Sequence, residues 1–335
     1  MSTAAAVILF AVVVLYAVFA GADFGAGFWD LTAGSPERGR RARGLIDRSI
    51  GPVWEANHVW LVFCLVILWT AFPTAFAAIM STLYIPLGLA ALGIVLRGSG
   101  FAFRKVSVRL SAQQLAGSTF AASSVVTPFF LGTVAGGIAS GRVPLTSASG
   151  TNGDALTSWL NPTSVLGGAL AVVTCAYLAA VFLTIEARVR NDAELEAWFR
   201  RRVRVSAASA GVLATAGIAV LHADAHRLFH QLLGPGLPLV LLSAASGLAA
   251  IILVDRQAPF LLRALAVTAV ASVVAGWGAA QYPYLLGTRL RITEGAAPDA
   301  TLTSVVVIFA VAAVLCLPSL AFLYVLQQRG QLEGT

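Results

Sequence analysis

Charge is what this chain lacks. Asp, Glu, Lys and Arg together make up 11% of its 335 residues, where a soluble domain carries about 25%. With 58% of the residues hydrophobic, that scarcity excludes a soluble globular fold and points to a polytopic membrane protein. Cysteine is equally sparse. Cys64, Cys175 and Cys316 each fall in an apolar stretch, too far apart for a CxxC pair, so they read as small packing residues rather than a redox or metal centre. No Walker A motif and no glycine-rich nucleotide fingerprint occurs. The chain has four histidines and two methionines. Only His58 falls within a predicted span, and Met80 is the only internal Met. Membrane b-type haems take axial His or Met ligands, so a haem held wholly by this chain is not expected.

What is present is apolar sequence in span-length units. A bilayer crossing needs roughly 20 apolar residues. Nine segments qualify, at about 4–31, 53–72, 75–96, 112–137, 162–186, 203–221, 236–254, 259–283 and 302–327. Phe72-Pro73-Thr74 reads as a tight turn between the second and third. Pro86, Pro128 and Pro318 could break spans three, four and nine. Gly132 and Gly136 suit close helix packing. The first apolar stretch lacks a basic start and a clear cleavage site, so no removable signal is expected. The loop 138–161 is rich in Gly, Ser and Thr, and no soluble domain or long linker is evident.

Basic residues set the orientation. Of the 22 Lys and Arg residues, only Arg142, Arg227, Arg289 and Arg291 lie in the loops after even-numbered spans. The rest follow odd-numbered spans. The positive-inside bias therefore predicts an outside N-terminus and a cytoplasmic C-terminus, which requires an odd number of spans. The formal charge of +7 indicates topology and contact with anionic lipid, not nucleic acid.

The polar groups within the spans are the candidate site, because ionisable residues are costly in hydrocarbon. Gly51-Pro52-Val53-Trp54-Glu55-Ala56-Asn57-His58-Val59-Trp60 places an acid, an amide, an imidazole and two indoles at the start of span two. Glu55 and His58 share a face at i, i+3, and Asn57 lies beside them. Asp23 sits at a similar depth late in span one. Buried carboxylates and a histidine can carry protons. The structural alternative is that Asp23 and Glu55 cap helices or pair with Arg97 or Arg48. Asp30 reads as structural, and Glu186 as a surface partner of Arg188. Arg97, Gly98, Phe101, Phe103 and Arg104 suit an interfacial anchor, with small residues that could admit a neighbouring element. Trp54 and Trp60 read as packing or interface residues. His222, His226 and His230, at i, i+4, i+8, could hold a metal on one helix face or lie on an amphipathic surface helix.

These motifs resemble subunit II of the cytochrome bd-type quinol oxidases. The 51–60 segment is similar to that family's (A/G)P-x-W-(D/E)-G-N-(Q/E)-V-W. Gly21-Ala22-Asp23-Phe24-Gly25 resembles its GFD-x-G, and Leu96-Arg97-Gly98 to Arg104 its (F/L)R-x-x-(G/A)-F-x-(F/Y)-R. Leu160-Asn161-Pro162 and Tyr282-Pro283 match two further features in order. The resemblance implies two four-helix bundles plus one peripheral helix. It also implies a haem-bearing subunit I as partner, with haem b and haem d carried there, and quinol oxidation coupled to reduction of dioxygen to water. By the same resemblance this chain supplies an interface and part of a cytoplasmic proton path through Asp23 and Glu55, with Asn57 and His58 beside them. A bound quinone or lipid, a small accessory transmembrane subunit and a bacterial inner-membrane location are further expectations. The chain departs from the pattern at Ala20, where another acid is common. It departs again at Val53 for His, Ala56 for Gly and His58 for Gln or Glu. His58 would then replace a carrier. Two other readings stay open, a proton-coupled transporter using Asp23, Glu55 and His58, and a non-catalytic assembly partner.

Overall fold

The computed structural model describes every residue except 36, 51–53, 108, 146–152, 257 and 329–335, and describes only the backbone of 50, 54–56, 105, 110, 317, 320, 321 and 323–328. The chain is helical almost throughout. The helices are α1 (Ser2–Leu31), α2 (Arg40–Ile50), α3 (Trp54–Ala71), α4 (Pro73–Thr82), α5 (Tyr84–Val106) and α6 (Leu110–Ala139). They continue with α7 (Pro162–Val189), α8 (Ala193–Asp224), α9 (His226–Leu233), α10 (Leu237–Leu253) and α11 (Pro259–Gln281). A small antiparallel pair, β1 (Tyr284–Leu286) and β2 (Leu290–Arg291), precedes α12 (Asp299–Gln328).

Among the described residues, seven helices are long and apolar enough to cross a membrane. The number rises to nine if two bent pairs each make one span, α3 with α4 at 118° and α9 with α10 at 73°. The bend at Phe72-Pro73 falls where the sequence places a turn. The helix expected over 75–96 does not form as one piece, however. It breaks at Leu83, and the membrane-length helix runs from Tyr84. Pro86 accompanies the break: it has no amide to bond to the Thr82 carbonyl, its ring crowds that carbonyl, and it sits in the first turn of α5, where neither costs anything. Pro128 and Pro318 do not break their helices and lie inside α6 and α12.

Helix starts follow capping chemistry. Asn161 accepts a hydrogen bond from the Ser164 amide at 3.0 Å, with Pro162 at the first helical position. Asp192 accepts from the Leu195 amide at 3.1 Å, and Glu194 and Glu196 follow in the first turn. That favourable start extends α8 ten residues ahead of the expected 203.

Helix α1 is the centre of the fold. It packs on α3, α6, α7 and α11, while α5–α6, α6–α7, α7–α8 and α10–α11 pair along the chain. Glycine permits the closest crossings. A Cβ on Gly25 would overlap the Cys175 carbonyl of α7, and one on Gly27 would overlap Ser124 of α6. Gly132 of α6 and Gly167 of α7 face each other, a Cβ on Gly167 falling 2.6 Å from the Gly132 carbonyl. One apolar core joins the second half of α1 to α2, α7, α8 and α11, and another joins its first half to α3, α4, the β pair and α12. Helix α12 touches chiefly α1 and α3 and leaves most of its described surface uncovered, including Val311, Val314 and Leu315.

Candidate functional site

Asp23 and Arg97 form the most deeply buried ion pair of the described residues. Arg97 Nη2 donates to Asp23 Oδ1 at 2.8 Å and to the Asp23 carbonyl at 3.0 Å, and Arg97 Nε donates to Ser124 Oγ at 2.9 Å. The side chains are 1% and 2% exposed. Ser124 in turn donates to the Phe120 carbonyl at 2.6 Å. The guanidinium lies 5.0 Å from the centre of the Phe24 ring and 4.6 Å from that of Phe120. Three helices therefore meet at one cation: α1 brings the carboxylate, α5 the arginine, and α6 the hydroxyl and an aromatic face. Gly93 and Gly100 let α5 approach α6 this closely, because a Cβ on Gly100 would lie 2.8 Å from the Ala116 carbonyl.

One oxygen of this pair is uncommitted. Asp23 Oδ2 is buried with no hydrogen-bond partner among the described residues, and so is the Tyr16 hydroxyl. Tyr16 precedes Asp23 by seven residues, hence lies on the same face of α1, and the two interact electrostatically. His58 on α3 is part of this group. It feels the charges of both Asp23 and Arg97, and its ring lies 6.5 Å from that of Phe24. Asn57 is buried beside it. The arrangement offers a carboxylate oxygen, a phenol and an imidazole in low dielectric, next to a guanidinium.

A second ionic group lies two turns further along α1, about 10 Å away by helix rise. Buried Asp30 accepts from Arg43 Nε at 2.8 Å and pairs with Arg104, whose other nitrogen reaches Asp47 Oδ1 at 2.5 Å. These bonds pin α2 beneath α1 and α5. Outside the spans, Arg41 binds Asp192 at 2.8 Å and also pairs with Glu194. The Leu195 amide chiefly, with help from Arg41, holds the Asp192 carboxyl below its ordinary value. At the opposite end of the bundle Arg142 binds Asp224 at 2.5 Å, and Asp224 also accepts from the Thr163 hydroxyl at 2.6 Å.

The structure thus joins Asp23, His58 and Arg97 as one group, with Asn57 buried next to His58 in the chain, and departs from the sequence reading elsewhere. Arg97 is not an interfacial anchor. It sits in the core because α5 continues to Val106, and only Phe103 of the two nearby phenylalanines is exposed. Gly98 is half-buried, and the glycine that admits α6 is Gly100. Trp60 is a packing residue, stacked on Phe19 at 6.4 Å. Glu186 pairs with Arg190, one turn along, while Arg188 pairs with Glu196. His222, His226 and His230 do not share one helix. Ala225 separates His222 on α8 from His226 and His230 on α9, and no group of three metal-ligating side chains forms among the described residues. His222, placed in a loop by the sequence, lies in the last turn of α8. The side chains of Trp54 and Glu55 lie outside the described residues. Sequence reasoning missed Ser124, Phe120 and Tyr16. The pair of small residues at Gly93 and Gly100 on the arginine's own helix is the signal that could have found α6.

The chain matches the family model described as cytochrome bd terminal oxidase subunit II over residues 1–327. It is similar to the cytochrome bd ubiquinol oxidase subunit 2 of Bacillus subtilis (strain 168), with 29% identity over 165 residues, 49% of this chain and 47% of that one. The match thus spans about half the length of that curated relative. Among solved structures, a chain of the bd oxidase from Geobacillus thermodenitrificans superposes with a TM-score of 0.82 at 24% identity, over 100% of this chain and 99% of that one. That likeness is one of fold.

Proposed function

The chain belongs to the cytochrome bd terminal oxidase subunit II family, and from that premise we propose that it serves as subunit II of a bd-type quinol oxidase. In that reading it assembles with a haem-bearing subunit I, and the complex oxidises quinol and reduces dioxygen to water. Haem b and haem d belong to the partner and supply its redox chemistry. The observation that carries the reading is the family match over nearly the whole chain. Agreement in fold with a bd oxidase chain supports it.

Helix contacts support a two-bundle arrangement, α1, α3, α5 and α6 beside α7, α8, α10 and α11, with α12 at the periphery. The arginine distribution supports an outside N-terminus and nine crossings, and the bacterial sources of the similar proteins support a bacterial inner-membrane location. The uncovered apolar faces of α3 and α12 suit a partner subunit, a small accessory subunit, lipid or a quinone tail.

This chain's own residues hold and position protons in the proposed role. Glu55 begins α3 near the cytoplasmic face, His58 lies one turn deeper, and Asp23 faces His58 from α1. Arg97 fixes Asp23 through Oδ1 and leaves Oδ2 turned away from the ion pair as a proton acceptor. Ser124 and the two aromatic faces keep the guanidinium from swinging out. The function is tested by removing the chain from its host and restoring it. Loss of quinol-driven oxygen consumption and its recovery with the wild-type chain are expected. Unchanged oxygen consumption in the deletion would refute the assignment.

A further inference from the structure

We propose that a notch between the end of α1 and the first turns of α8 binds the headgroup of an anionic phospholipid. The notch has a volume of about 590 Å³ and is walled by Trp29 and Thr32 at the end of α1 and by Glu194, Trp198, Arg201, Arg202 and Val205 from α8. It lies at the end of the bundle that the arginine distribution assigns to the cytoplasm.

Charge carries the inference. Neither Arg201 nor Arg202 pairs with a carboxylate among the described residues, because the acids around them are engaged elsewhere. Glu194, the one acid lining the notch, is engaged by Arg41, Glu196 pairs with Arg188, and Asp255 with Arg200 and Arg204. Arg202 donates only to the Trp198 carbonyl, at 3.1 Å, and its Nε is buried without a partner among the described residues. Its guanidinium is held over Trp198, 2.9 Å from the ring centre, and faces Trp29 at 5.5 Å. A cation fixed between two indoles beside a like charge calls for an external anion. A guanidinium fork fits phosphate oxygens well.

The surroundings select a lipid over a free phosphate. Val205 follows Arg201 by one turn, and Val212 follows Val205 by two, so the three share one stripe of α8. Val205 is 56% exposed and Val212 69% exposed. They continue the notch as an apolar track along the helix, suited to an acyl chain. Indoles at the head of such a track match the membrane interface. Inorganic phosphate would use the arginines and leave the track idle.

The test uses the complex as purified, delipidated in detergent and offered phosphatidylglycerol or phosphatidylcholine, with bound lipid counted by native mass spectrometry. Wild type should retain phosphatidylglycerol and not phosphatidylcholine, and millimolar inorganic phosphate should not displace it. Each of Arg201→Gln and Arg202→Gln should weaken retention roughly fivefold, the worth of one basic residue near an anionic lipid. Arg201 is exposed, so Arg201→Gln keeps the fold and the stacked Arg202 if the other variant fails to assemble. Unchanged retention in Arg201→Gln, equal retention of both lipids, or displacement by phosphate would each overturn the proposal. None of these readouts depends on oxidase activity.

Discussion

Arg97 reaches across from α5 to hold Asp23 of α1 at 2.8 Å, with both side chains essentially excluded from solvent. Removing one partner of a buried pair strands the other charge, at a cost of about 3–5 kcal/mol. Arg97→Gln should therefore lower the melting temperature and yield of the assembled complex sharply. The double variant Asp23→Asn/Arg97→Gln should recover much of the loss, since no net charge is left buried. A double variant as unstable as the single would show that packing of the arginine stem, rather than charge, dominates.

The proton-path reading makes a separate demand on the same residues. Glu55→Ala and Asp23→Asn should each slow quinol-driven oxygen consumption about tenfold or more, equivalent to roughly 1.4 kcal/mol on the barrier, in complexes whose pigment spectra match wild type. His58→Gln should have a smaller effect if a second carrier relays around it. Unchanged rates and pH profiles in both acid variants would remove Asp23 and Glu55 from the path.

The close crossing of α1 and α7 predicts intolerance to a single methyl group. Gly25→Ala would place its Cβ against the Cys175 carbonyl, which cannot move aside as a side chain can. Overpacking of this kind costs about 1–3 kcal/mol, readable as a lower thermal midpoint and reduced assembly. Gly211→Ala on α8, where nothing lies within 4 Å of the added carbon, is the control. It should be neutral or slightly stabilising, as alanine is the better helix former.

Asp192 caps α8, and its carboxyl is held below its ordinary value of 3.8. A depressed acid stabilises the fold in full above that ordinary value, and the contribution is lost as pH falls through the lower folded value. Asp192→Ala should cost about 0.5–2 kcal/mol near neutral pH, with the gap to wild type narrowing below about pH 4. Asp192→Asn keeps an N-cap acceptor and should lose less. A gap that does not vary with pH would assign the effect to something other than the carboxylate.

The fold was largely legible because apolar run length and arginine placement are global properties of the sequence. Span boundaries near Asn161-Pro162 and Phe72-Pro73 were legible because capping and proline chemistry are local. Pro86 stood out as a possible break in span three, as did Pro128 and Pro318 in spans four and nine; only at Pro86 does the helix divide, at Leu83, because packing decides whether a proline is kept inside a helix or starts a new one. The same limit applies to the site. Asp23 stood out as an acid in hydrocarbon, and Arg97 was available as a partner, but its arginine-rich neighbourhood looked interfacial. Ser124 and Phe120 come from α6, more than twenty residues further along; Gly93 and Gly100 on α5 point to a closely packed neighbour but not to which of its side chains reach Arg97. The i, i+4, i+8 spacing of the histidines presumes an unbroken helix, which Ala225 interrupts, so the triplet does not form one helix face.

The assignment as an oxidase subunit is tested most directly by affinity purification of this chain from its native membrane, read by subunit composition and visible absorbance. A second polytopic subunit, haem absorbance of b and d type, and quinol-driven oxygen consumption in the same fraction are predicted. A stable, colourless preparation of this chain without such a partner would contradict it.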